Sequence, residues 1–404
     1  MNPGRKKIGL ACAGGGIEGC IYEIGALCAL DEVIDGTEAH RLDVYVGVSA
    51  GALVASCLAN GISAHTMSRA IISRAYDPDL NLSPETLFSP AIGEFARRLA
   101  MLPTALASSV LDYLHNPLDL SPLGAIYGLG SVMPVGFFNN GPLEQYLANS
   151  FSAEGRTNDF RELDPKLRVV AVNVDTAEII TFGDEETAHV PISKAVQAST
   201  ALPGLYVPVK IDGGYYIDGV ARRTVHASMA LKEGVDLLLC INPIVPVNTE
   251  VEAAQHNGHF RSIVRRGLPT VLSQSFRTII HSRMRTGFRS YKHEYPNADL
   301  ILIEPTAEDY ESIFSNLFSF SNRHDVCEHA YQTTRHRLCE QADFVEEVLD
   351  RHDLRLCRDV LFDDTRTLYG DLPKRPFMRQ TGDVFDETHR VLDHLEDLLE
   401  RITD

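Results

Sequence analysis

Two rhythms of apolar and polar positions alternate along the chain. Lys7 to Cys12 and Asp43 to Val46 are short, nearly continuous apolar runs of the length expected for buried strands. Each runs into a glycine-containing turn and then a longer segment with helical spacing, Ile17 to Leu30 and Ala52 to Ala59 respectively. The second helix is ended by Asn60-Gly61, and Ser63 caps the next one. Strand, glycine loop, helix, strand, tight turn, helix is the order of a parallel α/β sheet.

From about Tyr76 to Pro134 that rhythm stops. The stretch is rich in Pro, Leu, Ala and Ser, and no strand is evident in it. Ile92, Phe95, Leu99 and Leu102 fall on one helical face, and Leu106, Val110 and Leu114 recur at helical spacing, so a helical insertion is expected. The α/β pattern resumes with strands at Arg168 to Val174 and Val207 to Ile211, separated by a helix at Ile192 to Ser199. Asp212-Gly213-Gly214 has turn chemistry, and Tyr215 to Ile217 returns as the partner strand. Val235 to Ile241 and Leu300 to Ile303 are two further strands. Beyond Pro305 the chain reads as helical and acidic. The expected organisation is an α/β domain over 1–305, with the insertion at about 76–134, and an acidic helical region over 306–404.

Charge sharpens that division. Residues 301–404 carry 24 acidic against 12 basic side chains, so −12 of the chain's −18 lies there. His259 to His293 holds eight Arg and Lys residues and no acid, and is read as a solvated helix face or a partner of the acidic tail, with anionic headgroups as the other reading. A net charge of −18 excludes nucleic acid as the main partner. The eight cysteines are scattered through apolar stretches without a CxxC pair, which suggests buried thiols rather than a zinc site or disulfide framework. Arg5, Lys6 and Lys7 precede an apolar run too short for a signal peptide. No stretch approaches membrane-spanning length, so a cytoplasmic protein is expected, with any bilayer contact peripheral; the apolar faces of the 76–134 insertion either make that contact or simply pack on the domain.

The chemistry concentrates in three places. Gly47-Val48-Ser49-Ala50-Gly51 lies between a strand and a helix, where a sharp turn presents a serine hydroxyl and flanking glycines relieve crowding. Gly14-Gly15-Gly16-Ile17-Glu18-Gly19 also joins a strand to a helix. A dinucleotide fingerprint would need an acid at the tip of the next strand, which instead ends in Gly47-Val48-Ser49. The glycine amides are therefore read as an oxyanion hole facing the carbonyl that Ser49 attacks. A base is the third requirement. His189, His226, His256, His259 and His281 are available for a Ser-His-Asp arrangement, but none sits at an evident strand end. Asp212 and Asp218 do, each followed by glycine and flanking one short strand.

In this order and spacing the motifs resemble the patatin-like phospholipases. The glycine run at 14–19, the elbow at 47–51 and a later Asp-Gly at a strand end carry the resemblance, and Ala198 to Gly204 and Phe137 to Leu147 extend it. It covers about residues 7–245 and, more weakly, Leu268 to Pro305. It implies an α/β three-layer fold with a central mostly parallel sheet, here with a helical insertion and a helical C-terminal extension. It also implies a lipid acyl ester hydrolase in which Ser49 and one aspartate act as a dyad, with Gly14, Gly15 and Gly16 as the oxyanion hole, Gly47 and Gly51 framing the nucleophile, and no cofactor or metal. Asp218 is preferred as the base because it follows a strand and precedes a helix-like segment. Asp212-Gly213-Gly214 matches the family's motif literally but suits a hairpin turn. A second departure is Glu18, where the family usually has Arg or Lys. The alternatives are a catalytically weak lipid-binding or regulatory protein on the same fold, and an esterase with a histidine base. Headgroup, acyl position and oligomeric state are left open.

Overall fold

Residues 6–72, 82–115, 130–222, 225–246, 267–305 and 323–370, together with Val264, are described by the structure, a computed structural model. Strand β1 (Ile8–Cys12) is buried at all five positions and leads through three glycines into helix α1 (Gly16–Val33). A short β2 (Ile34–Asp35) follows, then β3 (Val44–Val48), also buried throughout, and α2 (Ala50–Ala59). The four elements expected from the apolar pattern are thus present, with boundaries displaced by up to about three residues. The remaining strands are β4 (Ser89–Pro90), β5 (Gly136–Asn139), β6 (Lys166–Asn173), β7 (Ile179–Phe182), β8 (Gly204–Tyr206), β9 (Val209–Ile211), β10 (Gly214–Asp218), β11 (Leu237–Ile241), β12 (Asp299–Ile303) and β13 (Arg355–Leu356).

The main sheet runs β12-β11-β1-β3-β6-β10-β9, with β7 also paired to β6. β12, β11, β1, β3 and β6 are mutually parallel, while β7, β10 and β9 run antiparallel to their neighbours. The register around β6 matters most. β3 pairs with Lys166 to Val170, and β10 pairs with Ala171 to Asn173. β7 pairs with Val169 to Val172, overlapping both, so it must lie on the opposite edge. β3 and β10 therefore meet end to end along one edge of β6. Val48 stands opposite Val170 and Asp218 opposite Ala171.

Parallel strands need cover on both faces, and their continuous apolar sequence reflects it. On one face Val44, Val46, Val48, Leu238 and Cys240 pack against Ala227, Ala230, Met284 and Tyr291. On the other face α2 packs against β1, β3 and β6, and α1 packs beside α2. The result is the expected α/β three-layer arrangement around a mostly parallel sheet. α1 is buried nearly all round, which requires a further layer outside it. The helix Arg323–Glu340 supplies that layer. A Cβ on Gly25 would overlap the carbonyl oxygen of Cys327, so the two helices cross at backbone contact there. Each fully buried Leu or Ile on α1 contributes roughly 1.5–3 kcal/mol, enough to hold such a helix without help from its caps. The compact unit runs Met1–Leu368, and a second unit comprises Tyr369–Asp404. Residues 306–322 and 371–404 of the expected acidic region lie outside the described residues.

Within the expected insertion, Ile92–His115 is one helix containing Pro103, and residues 76–81 and 116–129 lie outside the described residues. The apolar face expected there exists, but Ile92, Phe95 and Leu99 point to solvent rather than into the domain. β4 and β8 flank β5 in a small sheet of their own.

Candidate functional site

Ser49 is the single residue between β3 and α2, and its backbone has φ 56° and ψ −126°. That left-handed conformation costs a non-glycine residue about 1–3 kcal/mol and persists only where surrounding packing enforces it. The enforcement is visible on both sides. A Cβ on Gly51 would overlap the carbonyl oxygen of Ala13 and stand 2.5 Å from the carbonyl carbon of Cys12. A Cβ on Gly47 would collide with the first turn of α2 at Gly51 and Ala52. Gly51 also donates its amide to the Ala13 carbonyl at 3.1 Å, which ties the serine turn to the glycine loop after β1.

That loop passes directly over Ser49. A Cβ on Gly14 would overlap Val220 Cγ2 and stand 3.0 Å from Ser49 Cβ, so only glycine fits. Gly15 is pressed against the ring of Pro243, which a Cβ would approach to 2.7 Å. Gly16 opens α1 with φ 64°. Among the described residues no protein acceptor takes the amides of Gly14 and Gly15. They and the N-terminus of α1 form a donor surface beside the serine, suited to developing negative charge. Glu18, the departure noted in the sequence, is buried in the first turn of α1.

Asp218 ends β10 and is 1% exposed. Its carboxylate accepts a hydrogen bond from the Val220 amide at 2.8 Å, and the Ser49 hydroxyl lies close enough to favour its charged form. Burial pushes this carboxyl up to about 7, and the nearby Ser49 hydroxyl and the Val220 amide oppose that rise without overcoming it. The structure thus brings together Ser49, Asp218, Gly14, Gly15, Gly47 and Gly51, while Gly16 supplies the turn into α1. Asp212 stands apart. It occupies the β9–β10 turn with φ 48°, is exposed, and lies 2.8 Å from His189 Nε2. His281 faces Glu304, and His226 precedes the helix Ala227–Lys232. His256 and His259 lie outside the described residues.

One participant was invisible as such in the sequence. Ser199 ends the helix Ile192–Ser199, and its buried hydroxyl accepts the Ser49 amide at 2.8 Å while donating to the Val170 carbonyl at 2.6 Å. Two residues on, the Ala201 carbonyl accepts the Asp218 amide at 3.0 Å. One short segment therefore holds the backbones of both Ser49 and Asp218 against β6. Its sequence, Ala198-Ser199-Thr200-Ala201, was conspicuous only by resemblance, because nothing local reveals where a small hydroxyl points.

The family model for patatin-like phospholipases matches residues 10–231, which contain Ser49, Asp218, Ser199 and the glycines around them. Among solved structures the chain is similar to VipD from Legionella pneumophila, at 16% identity and TM-score 0.36, covering 83% of this chain and 67% of that one. It is similar to the type III effector protein ExoU of Pseudomonas aeruginosa, at 17% identity and TM-score 0.34, covering 83% and 53%. Human GIVD cytosolic phospholipase A2 matches at 10% identity and TM-score 0.36, covering 89% and 63%. The chain thus spans between 53% and 67% of the length of these proteins.

Proposed function

The chain belongs to the patatin-like phospholipase family, and from that premise we propose that it hydrolyses an acyl ester of a lipid, with Ser49 as nucleophile and Asp218 as base. The observation that carries this reading is a serine hydroxyl, held in a left-handed turn, placed beside a buried carboxylate whose pKa is pushed up to about 7. A carboxylate so raised is a stronger base than an exposed one, yet is still half ionised near neutral pH.

In the first half-reaction Asp218 takes the hydroxyl proton as Ser49 Oγ attacks the ester carbonyl carbon. The carbonyl oxygen becomes an oxyanion facing the amides of Gly14 and Gly15 and the start of α1, with Gly16 in the same turn. Removing one such donor typically costs about 10²–10³ in rate. The intermediate collapses to an acyl-serine, and Asp218 returns its proton to the departing alcohol. In the second half-reaction Asp218 takes a proton from water, which attacks the acyl carbonyl; the fatty acid leaves and Ser49 Oγ is reprotonated. The Val220 amide holds the carboxylate in place throughout.

The lipid nature of the ester follows from the family. The solvent-facing Ile92, Phe95 and Leu99 of the insertion helix support peripheral contact with a bilayer, and no helix among the described residues is long and apolar enough to cross one. Hydrolysis of a short-chain ester and of a phospholipid by wild type, Ser49→Ala, Asp218→Asn and Asp212→Asn tests the proposal. Loss of both activities in the first two variants, with Asp212→Asn near wild type, is the expected result. Equal activity of wild type and Ser49→Ala would overturn it in favour of a lipid-binding scaffold, and loss only in Asp212→Asn would move the base to the turn.

A further inference from the structure

The helix Leu268–Glu294 joins β11 to the parallel β12, so it runs antiparallel to both strands. Its N-terminal end therefore lies at the edge of the sheet where β3 gives way to Ser49. Twenty-seven residues of helix span about 40 Å, against about 17 Å for a five-residue strand. The helix must overhang. Its C-terminal half is the anchored part, with Met284 and Tyr291 in the core beside Val44 and Leu238. Near its middle the Arg277 guanidinium reaches the Val245 carbonyl at 3.5 Å, two residues beyond the proline that presses on Gly15. The overhanging half thus stands beside the glycine loop.

On that half the outward face is apolar. Leu268, Leu272, Phe276 and Ile279 fall within an arc of about 80° at the helical repeat, and all four are exposed, Leu268 by 69% and Phe276 by 61%. Arg283 continues the same line one turn on, and Arg289 lies on its flank. Among the described residues no acid pairs with Arg283, Arg285, Arg289 or Lys292, although the molecule as a whole carries −18. A chain with so large an acidic excess has abundant partners for four cations and, among the described residues, leaves these without one. An exposed apolar stripe continuing into unpaired cations is the surface that an anionic bilayer complements, hydrocarbon under the stripe and phosphate beside the arginines.

We propose that the helix Leu268–Glu294 is a docking surface for an anionic phospholipid membrane, which seats the sheet edge bearing Ser49 on the lipid. Delivery of substrate from that membrane rests on the hydrolytic function proposed above, whereas docking itself needs no catalysis. The test is accordingly read on protein carrying Ser49→Ala. Full-length protein is sedimented with vesicles of phosphatidylcholine alone and of phosphatidylcholine with phosphatidylserine, in low and high salt. Three forms are compared: Ser49→Ala alone, with added Leu272→Ser and Phe276→Ser, and with added Arg283→Glu and Arg289→Glu.

The expected result is preferential binding to the anionic vesicles, weakened by salt, and reduced roughly tenfold or more by either pair of substitutions. All four substituted positions are exposed, so each form is expected to keep the parent's melting temperature, which checks its folding. On otherwise wild-type protein, the same pairs are expected to leave short-chain ester hydrolysis unchanged while lowering hydrolysis in anionic vesicles. Equal binding to both vesicle types, no binding, or unaltered binding by both substituted forms would overturn the proposal. So would a change of oligomeric state in the apolar variant without a change in vesicle binding, which would mark the stripe as a contact between copies.

Discussion

The sheet edge around Ser49 and the two long helices at Ile92–His115 and Leu268–Glu294 are built on opposite plans. At the edge there is no spare volume: a single added carbon at Gly14, Gly47 or Gly51 meets backbone or a neighbouring side chain. On the helices, Ile92, Leu99, Leu268 and Phe276 are apolar yet open to solvent. Packing energy at the edge holds a strained serine and a buried acid where neither would rest unaided. The helices decline packing energy that the same residues could supply, which is the pattern of a surface kept for a partner. Under the proposed function, chemistry sits where contacts are saturated, and recognition where they are left open.

The sharpest way to break that contrast is to relieve the strain at the saturated end. The folded-state pKa of Asp218 is raised from 3.8 to about 7. A raised pKa means that the protonated form is the one folding favours. Stability tied to this group is therefore present below pH 4, falls as pH rises toward 7, and stays low above it. Across that window the cost is on the order of 4 kcal/mol. Asp218→Asn keeps the shape without the charge, so it is expected to match wild type near pH 4 and be several kcal/mol more stable at pH 8 by urea unfolding. It is also expected to be inactive. The activity of wild type moves oppositely with pH, because the base must be ionised: kcat/KM for a short-chain ester is expected to rise with pH to half its plateau near pH 7. A variant no more stable at pH 8 would show that the edge stores no such energy at this residue.

A smaller effect is expected at Ser199, whose hydroxyl holds the Ser49 amide against the Val170 carbonyl. Ser199→Ala leaves a buried donor and a buried acceptor unpaired, a loss of about 1–3 kcal/mol. The outcome expected is a fall in kcat of roughly ten- to a hundredfold with KM changed little, because the turn loosens while the binding surface persists. A Ser199→Thr variant, which restores the hydroxyl, should recover part of the loss. An unchanged kcat in Ser199→Ala would leave Gly47 and Gly51 as sufficient support for the turn.

These residues also mark how far the sequence could be read. β1, α1, β3 and α2 were legible because each is local, an apolar run of a given period closed by glycine. Gly14, Ser49 and Asp218 could be singled out because strand–turn–helix context limits what such residues do. The preference for Asp218 over Asp212 also rested on local grounds, the turn chemistry of Asp212-Gly213-Gly214. What sequence could not carry is the meeting of β3 and β10 on one edge of β6, since register between strands about 120 residues apart leaves no periodic trace. The role of Ser199 was hidden for the same reason. The insertion helix shows the converse limit. Apolar spacing at Ile92, Phe95 and Leu99 predicted the helix, but periodicity identifies an apolar face without saying what covers it.

The smallest effect expected is at that insertion helix, where the contrast can be tested with a single carbon skeleton. Leu27 on α1 is 0% exposed and Leu99 is 70% exposed. Truncating a buried leucine costs about 2–5 kcal/mol, whereas a surface substitution is usually within about 0.5 kcal/mol. Leu27→Ala is accordingly expected to lower Tm by several degrees, and Leu99→Ser to move it by no more than about 2 °C, with short-chain ester hydrolysis preserved. If Leu99→Ser instead melts as early as Leu27→Ala, the insertion helix is part of the packed domain and the two regions do not differ in kind. If it melts like wild type and keeps short-chain ester hydrolysis but hydrolyses phospholipid vesicles more slowly, the exposed leucine serves the lipid surface, because the reacting groups themselves are then intact.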